Sequence, residues 1–234
     1  MQFSTPLLPA VLIRRYKRFL ADVRFPDGTE ATAHIANPGT MTGLAEPGTH
    51  VWVERNDDPK RKLRFSWQLV DHRTGHFTCV DTSLANRVVA EALAAGRIPE
   101  LSGYSQHRPE VRYGERSRVD FLLSGEGRRD CYLEVKSVTL SRVSGLAQFP
   151  DAVTARGARH LHDLAQEVRA RDRAVLLFLV MRTDITHAGI ATDIDRAYGA
   201  AFEAATRAGV EAIAYDCAID PERISFGERL FVQV

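Results

Sequence analysis

Apolar residues in the first 80 positions recur in short runs with polar breaks between them, the rhythm of strands rather than of helices. KRFLADVRF (17–25) runs into PDG, a turn signal, and TEATAHIAN follows as a second strand. HVWVERN comes after NPGTMTGLAEPG. In LRFSWQLVDH, Leu63, Phe65, Trp67 and Leu69 alternate with Arg64, Ser66 and Gln68, which predicts a strand buried on one face. Thr74-Gly75 then turns the chain into HFTCVDT. About five short strands with no long helix predict a small barrel, the five-stranded OB-fold being the natural candidate. A small open sheet is the alternative.

Beyond residue 80 the period changes. SLANRVVAEALAA (83–95) reads as a helix stopped by Gly96, and SRVDFLL and CYLEVKSVTL read as strands joined by the polar turn SGEGRRD. Residues 152–171 carry Ala155, Ala158, Leu161, Leu164, Ala165 and Val168 at helical spacing. RAVLLFLVM is a continuous apolar run, as expected of a strand covered on both faces. A further helix spans 195–208, and VEAIAYDCAI is a last strand. The pattern predicts an α/β domain with a mixed sheet, α+β for the chain as a whole, divided into 1–80 and 81–234.

Composition changes this picture little. The 234 residues are 44% hydrophobic and 26% charged with net charge +1, so no bulk basicity announces a nucleic-acid partner. Residues 1–80 carry 11 Lys/Arg against 8 Asp/Glu, and the remainder 20 against 22, a mild excess of positive charge on the first part. Cys79, Cys131 and Cys217 are widely spaced without a CxxC pair, as reduced thiols of a cytosolic protein are. MQFSTPLLPAVLIRRYKRF puts its apolar stretch before its charges, the reverse of a signal peptide, and no segment has membrane-spanning length. A cytoplasmic location is expected.

CYLEVKSVTL carries the chemistry. In a strand Glu134 and Lys136 share one face while Leu133 and Val135 take the other. Asp120, in the preceding strand, comes beside Glu134 if the two strands pair antiparallel. Two carboxylates and a main-chain carbonyl, that of Val135, are hard oxygen ligands suited to Mg²⁺ or Mn²⁺. Lys136 then stands where it orients water or steadies charge at a reacting phosphate. Glu91, on the preceding helix, is a further candidate ligand, with Glu110 and Glu115 as substitutes. A charge pair at a strand end is the plain alternative.

The order strand with Asp, turn, strand with Glu-x-Lys, helix, strand resembles the PD-(D/E)XK nuclease superfamily, with Val119 where a Pro often precedes the Asp. RRYKRFLADV, NPGTMTG, SRVDF, EVKSVTL and FPDAVTARGARHLHDL together resemble the sugar fermentation stimulation protein A family over nearly the whole chain. That resemblance implies an OB-like N-terminal domain joined to a nuclease-like domain, DNA binding, and a link to sugar use in bacteria. It also places Ile35 and Leu44 where many members carry Cys.

Other charged groups are weighed against plainer roles. Arg14, Arg15, Lys17 and Arg18 cluster beside Tyr16 and Phe19, cations for a backbone and aromatics for bases, or else a solvated strand edge. Lys60, Arg61, Lys62 and Arg64 form a second basic run, in which Asp57 and Asp58 favour a solvated loop. Arg156 begins the long helix, whose N-terminus attracts phosphate, or else Asp151 caps that helix and Arg156 is an ordinary surface arginine. His160 and His162 lie two apart and do not face each other on a helix. The leading expectation is a DNA-binding protein with a Mg²⁺- or Mn²⁺-dependent nuclease site. The rival is a non-catalytic DNA-binding regulator.

Overall fold

The computed structural model describes residues 1–114 and 117–233. The first six strands are β1 (Leu7–Tyr16), β2 (Leu20–Arg24), β3 (Glu30–His34), β4 (His50–Arg55), β5 (Phe65–Asp71) and β6 (Phe77–Cys79). They form one sheet in the order β3-β2-β1-β4-β5-β6, and β3 also pairs with β5 through Ala33↔Phe65 and His34↔Ser66. That second pairing closes β1 to β5 into a five-stranded, OB-like barrel. Leu12, Val23, Ile35, Leu44, Val53 and Trp67 fill it. Ile35 and Leu44 thus serve as core packing.

Two details of the barrel differ from the sequence expectation. The first strand is not 17–25 but 7–16, and Lys17 and Arg18 form a tight turn into β2 with φ of 47° and 64°. Left-handed pairs of this kind usually announce themselves by Asn or Gly, so two basic residues hid the hairpin. In β5, Trp67, Gln68, Leu69 and Val70 are all buried, rather than one face alone. Trp67 and Val70 fill the barrel, while Leu69 packs outward into a core shared with the second sheet.

The remaining elements are α1 (Leu84–Ala94), β7 (Gln106–Tyr113), β8 (Ser117–Ser124), β9 (Cys131–Val138), β10 (Leu140–Val143), β11 (Gly145–Phe149), α2 (Ala155–Arg169), β12 (Arg173–Val180), β13 (Ile185–Ile190), α3 (Arg196–Arg207), β14 (Glu211–Ile219) and β15 (Ile224–Gln233). Their nine strands form a mixed sheet in the order β10-β11-β13-β15-β14-β12-β9-β8-β7. β12 lies parallel between β9 and β14, which is why RAVLLFLVM is apolar throughout. One sheet face packs against α1 through Leu133, Val135, Val175 and Leu177. The other packs against α2 and α3 through Leu161, Leu164, Tyr198 and Phe202. β7, β10, β11, β13 and β15 carry weaker apolar alternation and were not expected from the pattern.

The two sheets meet at β6. Cys79 N–H donates to the Met181 carbonyl at 2.8 Å and Thr183 N–H to the Phe77 carbonyl at 3.1 Å. Among the described residues, no helix is long and apolar enough to cross a membrane.

Candidate functional site

β8 and β9 pair antiparallel through Leu123↔Cys131, Leu122↔Tyr132 and Phe121↔Leu133. Continued by one step, this register puts Asp120 across from Glu134, but the ladder ends there and the strands part. Asp120 occupies the fork. Its Oδ2 accepts from the Val135 N–H at 2.7 Å and its Oδ1 from Asn86 Nδ2 of α1 at 2.8 Å. A side-chain carboxylate therefore stands in for the missing ladder bond.

Glu134 is only 3% exposed. Its Oε1 accepts from Lys136 Nζ at 2.7 Å and from His160 Nδ1 of α2. Arg156 Nε donates to His160 Nε2 at 3.2 Å. One ring nitrogen therefore accepts and the other donates, which fixes the imidazole between Arg156 and Glu134. Glu134 Oε2 is buried with no hydrogen-bond partner among the described residues. Such an orphaned anionic oxygen is costly unless something else meets it.

The two carboxyls respond differently to the same burial. Desolvation pushes Asp120 up to about 6, reinforced by the negative charge of Glu134 and only partly offset by the Val135 and Asn86 hydrogen bonds. Desolvation also pushes Glu134 upward, but the His160 hydrogen bond and the Lys136 charge outweigh it and hold the carboxyl below its ordinary range. The pair thus offers one firmly ionised oxygen acid and one that is easily protonated when alone.

These groups line a cleft of about 490 Å³ between the sheets, in which Arg18, Asn37 and Gly39 of the barrel face Asp120, Glu134 and Lys136. The barrel wall is held from both sides. Arg15 donates to the carbonyls of Arg18, Asn37, Gly39 and Thr40, all at 3.0 Å. Asn37 Nδ2 donates to the Val80 carbonyl at 3.0 Å. From the second sheet, Asp151 Oδ2 accepts from the Met41 N–H at 3.3 Å. It lies so close to Gly39 that an added Cβ there would fall 2.0 Å from it. A larger residue at 39 would have to turn the Asp151 carboxylate away from the loop.

Several expected residues lie elsewhere or act differently. Glu91 is five residues past Asn86, roughly 140° round the helix, and its carboxylate holds the Met1 ammonium at 2.8 Å. Asn86, not Glu91, is the α1 residue at the site. Glu110 is exposed on the edge strand β7, and Glu115 lies outside the described residues. The structure brings Val135 to Asp120 through its N–H. Arg14 pairs with Asp22 at 2.8 Å and its guanidinium lies 4.8 Å from the Tyr16 ring centre, while the Tyr16 hydroxyl donates to Asp22 at 3.1 Å. Lys17 is exposed in the turn, Arg18 enters the cleft, and Arg156 borders it from α2. Thr154, not Asp151, caps α2, its hydroxyl accepting from the Gly157 N–H at 3.0 Å.

Two site residues were missed in the sequence. His160 sits on the apolar face of α2 beside Leu161 and Leu164, and a polar residue on that stripe, four after Arg156, was the available signal. Asn86 had none, because an Asn in a helix is ordinarily solvated. Among the described residues no three His, Cys, Asp or Glu side chains converge as a ready ligand set. The two carboxylates and the orphaned Oε2 are what the fold offers a cation.

The sugar fermentation stimulation protein RE domain model matches residues 83–223, and the SfsA N-terminal OB domain model matches residues 13–80. A sugar fermentation stimulation protein homolog of Roseobacter denitrificans is 60% identical, covering 96% of both chains. That of Ruegeria pomeroyi is 56% identical, covering 98% of this chain and all of its own. SfsA of Pyrococcus furiosus, solved in complex with Ca²⁺, superposes with a TM-score of 0.89 at 27% identity, covering 100% of this chain and 98% of its own.

Proposed function

The chain belongs to the sugar fermentation stimulation protein family, and from that premise we propose a divalent-metal-dependent phosphodiesterase acting on nucleic acid, DNA before RNA. The observation that carries this reading is Glu134 Oε2, a buried carboxylate oxygen without a partner among the described residues, beside an Asp120 carboxyl whose proton affinity is raised by its charge. A cation there would relieve both. The Ca²⁺ complex of the Pyrococcus furiosus relative supports a divalent ion in this fold.

Asp120 and Glu134, with the Val135 carbonyl, would hold Mg²⁺ or Mn²⁺, and that ion would acidify bound water and offset phosphate charge. The protein's own groups do the remaining work. Asn86 and the Val135 N–H aim Asp120; His160 and Lys136 aim Glu134. Lys136, 12% exposed at the cleft wall, holds a proton at Nζ where a scissile phosphate would gather charge. Arg156, bonded through Nε to His160 and without an ion-pair partner among the described residues, would meet a neighbouring phosphate at the cleft rim.

The test is incubation of purified protein with single- and double-stranded DNA and with RNA, in Mg²⁺, in Mn²⁺ and in EDTA. Metal-dependent cleavage lost in Glu134→Gln supports the proposal. That no three-residue ligand cluster forms among the described residues favours a second reading, a regulator that binds DNA through the same fold without turnover. Nucleic-acid binding with neither metal binding nor cleavage would decide for it.

A further inference from the structure

We infer that the cleft receives nucleic acid as a single strand, laid from an aromatic platform of Phe19 and His34, past Arg18, towards Asp120 and Glu134. The inference rests on the proposed function for the chemistry at the carboxylates, but not for the manner of binding.

The first argument is the fixed wall. Arg15 ties the turn carrying Arg18 to the loop 37–40 through one guanidinium, and Asp151 ties that loop to the second sheet. The Asp151 carboxylate sits directly against Gly39 and accepts from the next-but-one N–H, that of Met41. A wall bonded to both sides does not swing aside for a duplex, whose major groove alone is about 12 Å wide. The volume of about 490 Å³ is in the range that encloses a small molecule, roughly 300–1,000 Å³. An unpaired nucleotide is of that class.

The second argument is an exposed aromatic pair that lies next in the chain to the cleft residue Arg18. Phe19 directly follows Arg18, is 41% exposed, and stacks on His34 with ring centres 6.4 Å apart and planes 21° from parallel. Val153, which lines the cleft itself, is 76% exposed. Single strands present base faces that such groups can cover, whereas a duplex hides them in its own stack. The third argument is charge. Arg14 is engaged by Asp22 and Arg15 by carbonyls, but Arg18 has no ion-pair partner among the described residues. It is the barrel cation left for a phosphate inside the cleft.

Fluorescence anisotropy in EDTA, with a labelled oligothymidylate of about 20 nucleotides and a duplex of equal length, tests this apart from cleavage. The strand should bind at least about tenfold tighter than the duplex. Phe19→Ala should weaken strand binding about tenfold and leave the duplex unchanged. Arg18→Ala should shallow the salt dependence for the strand by about 0.7 in log–log slope. Phe19 is partly exposed, so an unchanged melting temperature will show that its variant folds. Equal or tighter duplex binding, or unaltered strand affinity in Phe19→Ala, overturns the inference. Strand preference without cleavage in Mn²⁺ removes only the phosphodiesterase reading; cleavage with duplex preference removes only the single-strand inference.

Discussion

Two charged clusters stand out in this sequence, and the fold treats them oppositely. Arg14 to Arg18 lie at a barrel hairpin, mostly exposed, yet two of the four cations are already used. Arg15 is a bracket for its own backbone, and Arg14 is neutralised by Asp22. Asp120, Glu134, Lys136 and His160 lie where β8 and β9 part, largely buried, and still leave one carboxylate oxygen unmet among the described residues. A cluster of cations in a sequence therefore does not count the charge available to a ligand. Burial is the better guide: a charge in water costs little to keep, whereas a buried ion persists only where its surroundings or a ligand hold it.

The sharpest way to break this comparison is to remove the buried cation. Lys136→Ala should lower nucleic-acid cleavage about 10²–10³-fold, the loss typical of one donor aimed at developing charge. Its Mn²⁺ affinity by calorimetry should change far less than that of Asp120→Asn or Glu134→Gln, each of which removes a hard anionic ligand. If all three variants cleave like the wild type, the buried cluster is structural and the contrast between the regions disappears.

The barrel cluster gives the next largest effect, and it falls on stability. Arg15→Ala would strand the carbonyls of Arg18, Asn37, Gly39 and Thr40 and unpin the cleft wall. A loss of about 2–4 kcal/mol in urea unfolding is expected, because charge-assisted bonds to the partly buried carbonyls of Asn37 and Gly39 are lost together with two exposed ones. Arg15→Lys should recover little of it, since an ammonium lacks the planar fork that spans separate carbonyls. A wild-type unfolding midpoint in Arg15→Ala would mean that the loop holds itself.

How far the sequence disclosed this arrangement follows from the same physics. The barrel followed by an α/β sheet was legible, because alternation in LRFSWQLVDH, the unbroken RAVLLFLVM and the helical spacing after residue 152 are period signals that burial writes directly. The fork at Asp120 was half legible. Strand adjacency suggested that Asp120 and Glu134 meet, but nothing local says that the ladder stops at Phe121 and that the carboxylate replaces its next bond. Asn86 and His160 come from helices distant in sequence, and their roles depend on packing angles that no local pattern encodes. From sequence Arg15 reads as a ligand group, because an arginine beside a turn looks the same whether it meets phosphate or its own carbonyls.

Acid titration probes the buried pair more gently. With its folded pKa near 6 against an ordinary 3.8, Asp120 binds its proton more tightly when folded. Its favourable contribution is therefore complete below about 4 and is lost as pH rises through about 6. In EDTA, the stability of the wild type minus that of Asp120→Asn should fall across that window by on the order of 2–3 kcal/mol. Glu134 has the opposite sign: its pKa is lowered, so its contribution is present above its ordinary 4.5 and is lost as pH falls through the depressed value. Urea midpoints taken from pH 8 down into strong acid separate the two. A flat difference for Asp120→Asn would show that the fork is wetter than its burial implies.

The smallest expected effect is the one that isolates exposure as the cause. Arg14 and Arg15 are neighbours in the same strand, both basic and both hydrogen-bonded, so charge and local sequence are matched. Arg14 meets Asp22 and the Tyr16 ring at the surface, with 66% of its side chain exposed. There the attraction is screened, and ordering a long side chain offsets most of what remains. Asp22 keeps hydrogen bonds from Tyr16 and Thr32 when Arg14 is removed, so no buried acceptor is orphaned. Arg14→Ala should therefore melt within about 1–2 °C of the wild type, and 0.5 M NaCl should erase even that difference. A larger, salt-resistant loss would mean that Arg14 works through its contact with Tyr16 rather than through its charge. Arg14→Gln, which removes the charge and keeps much of the aliphatic stem, would then restore part of what alanine loses.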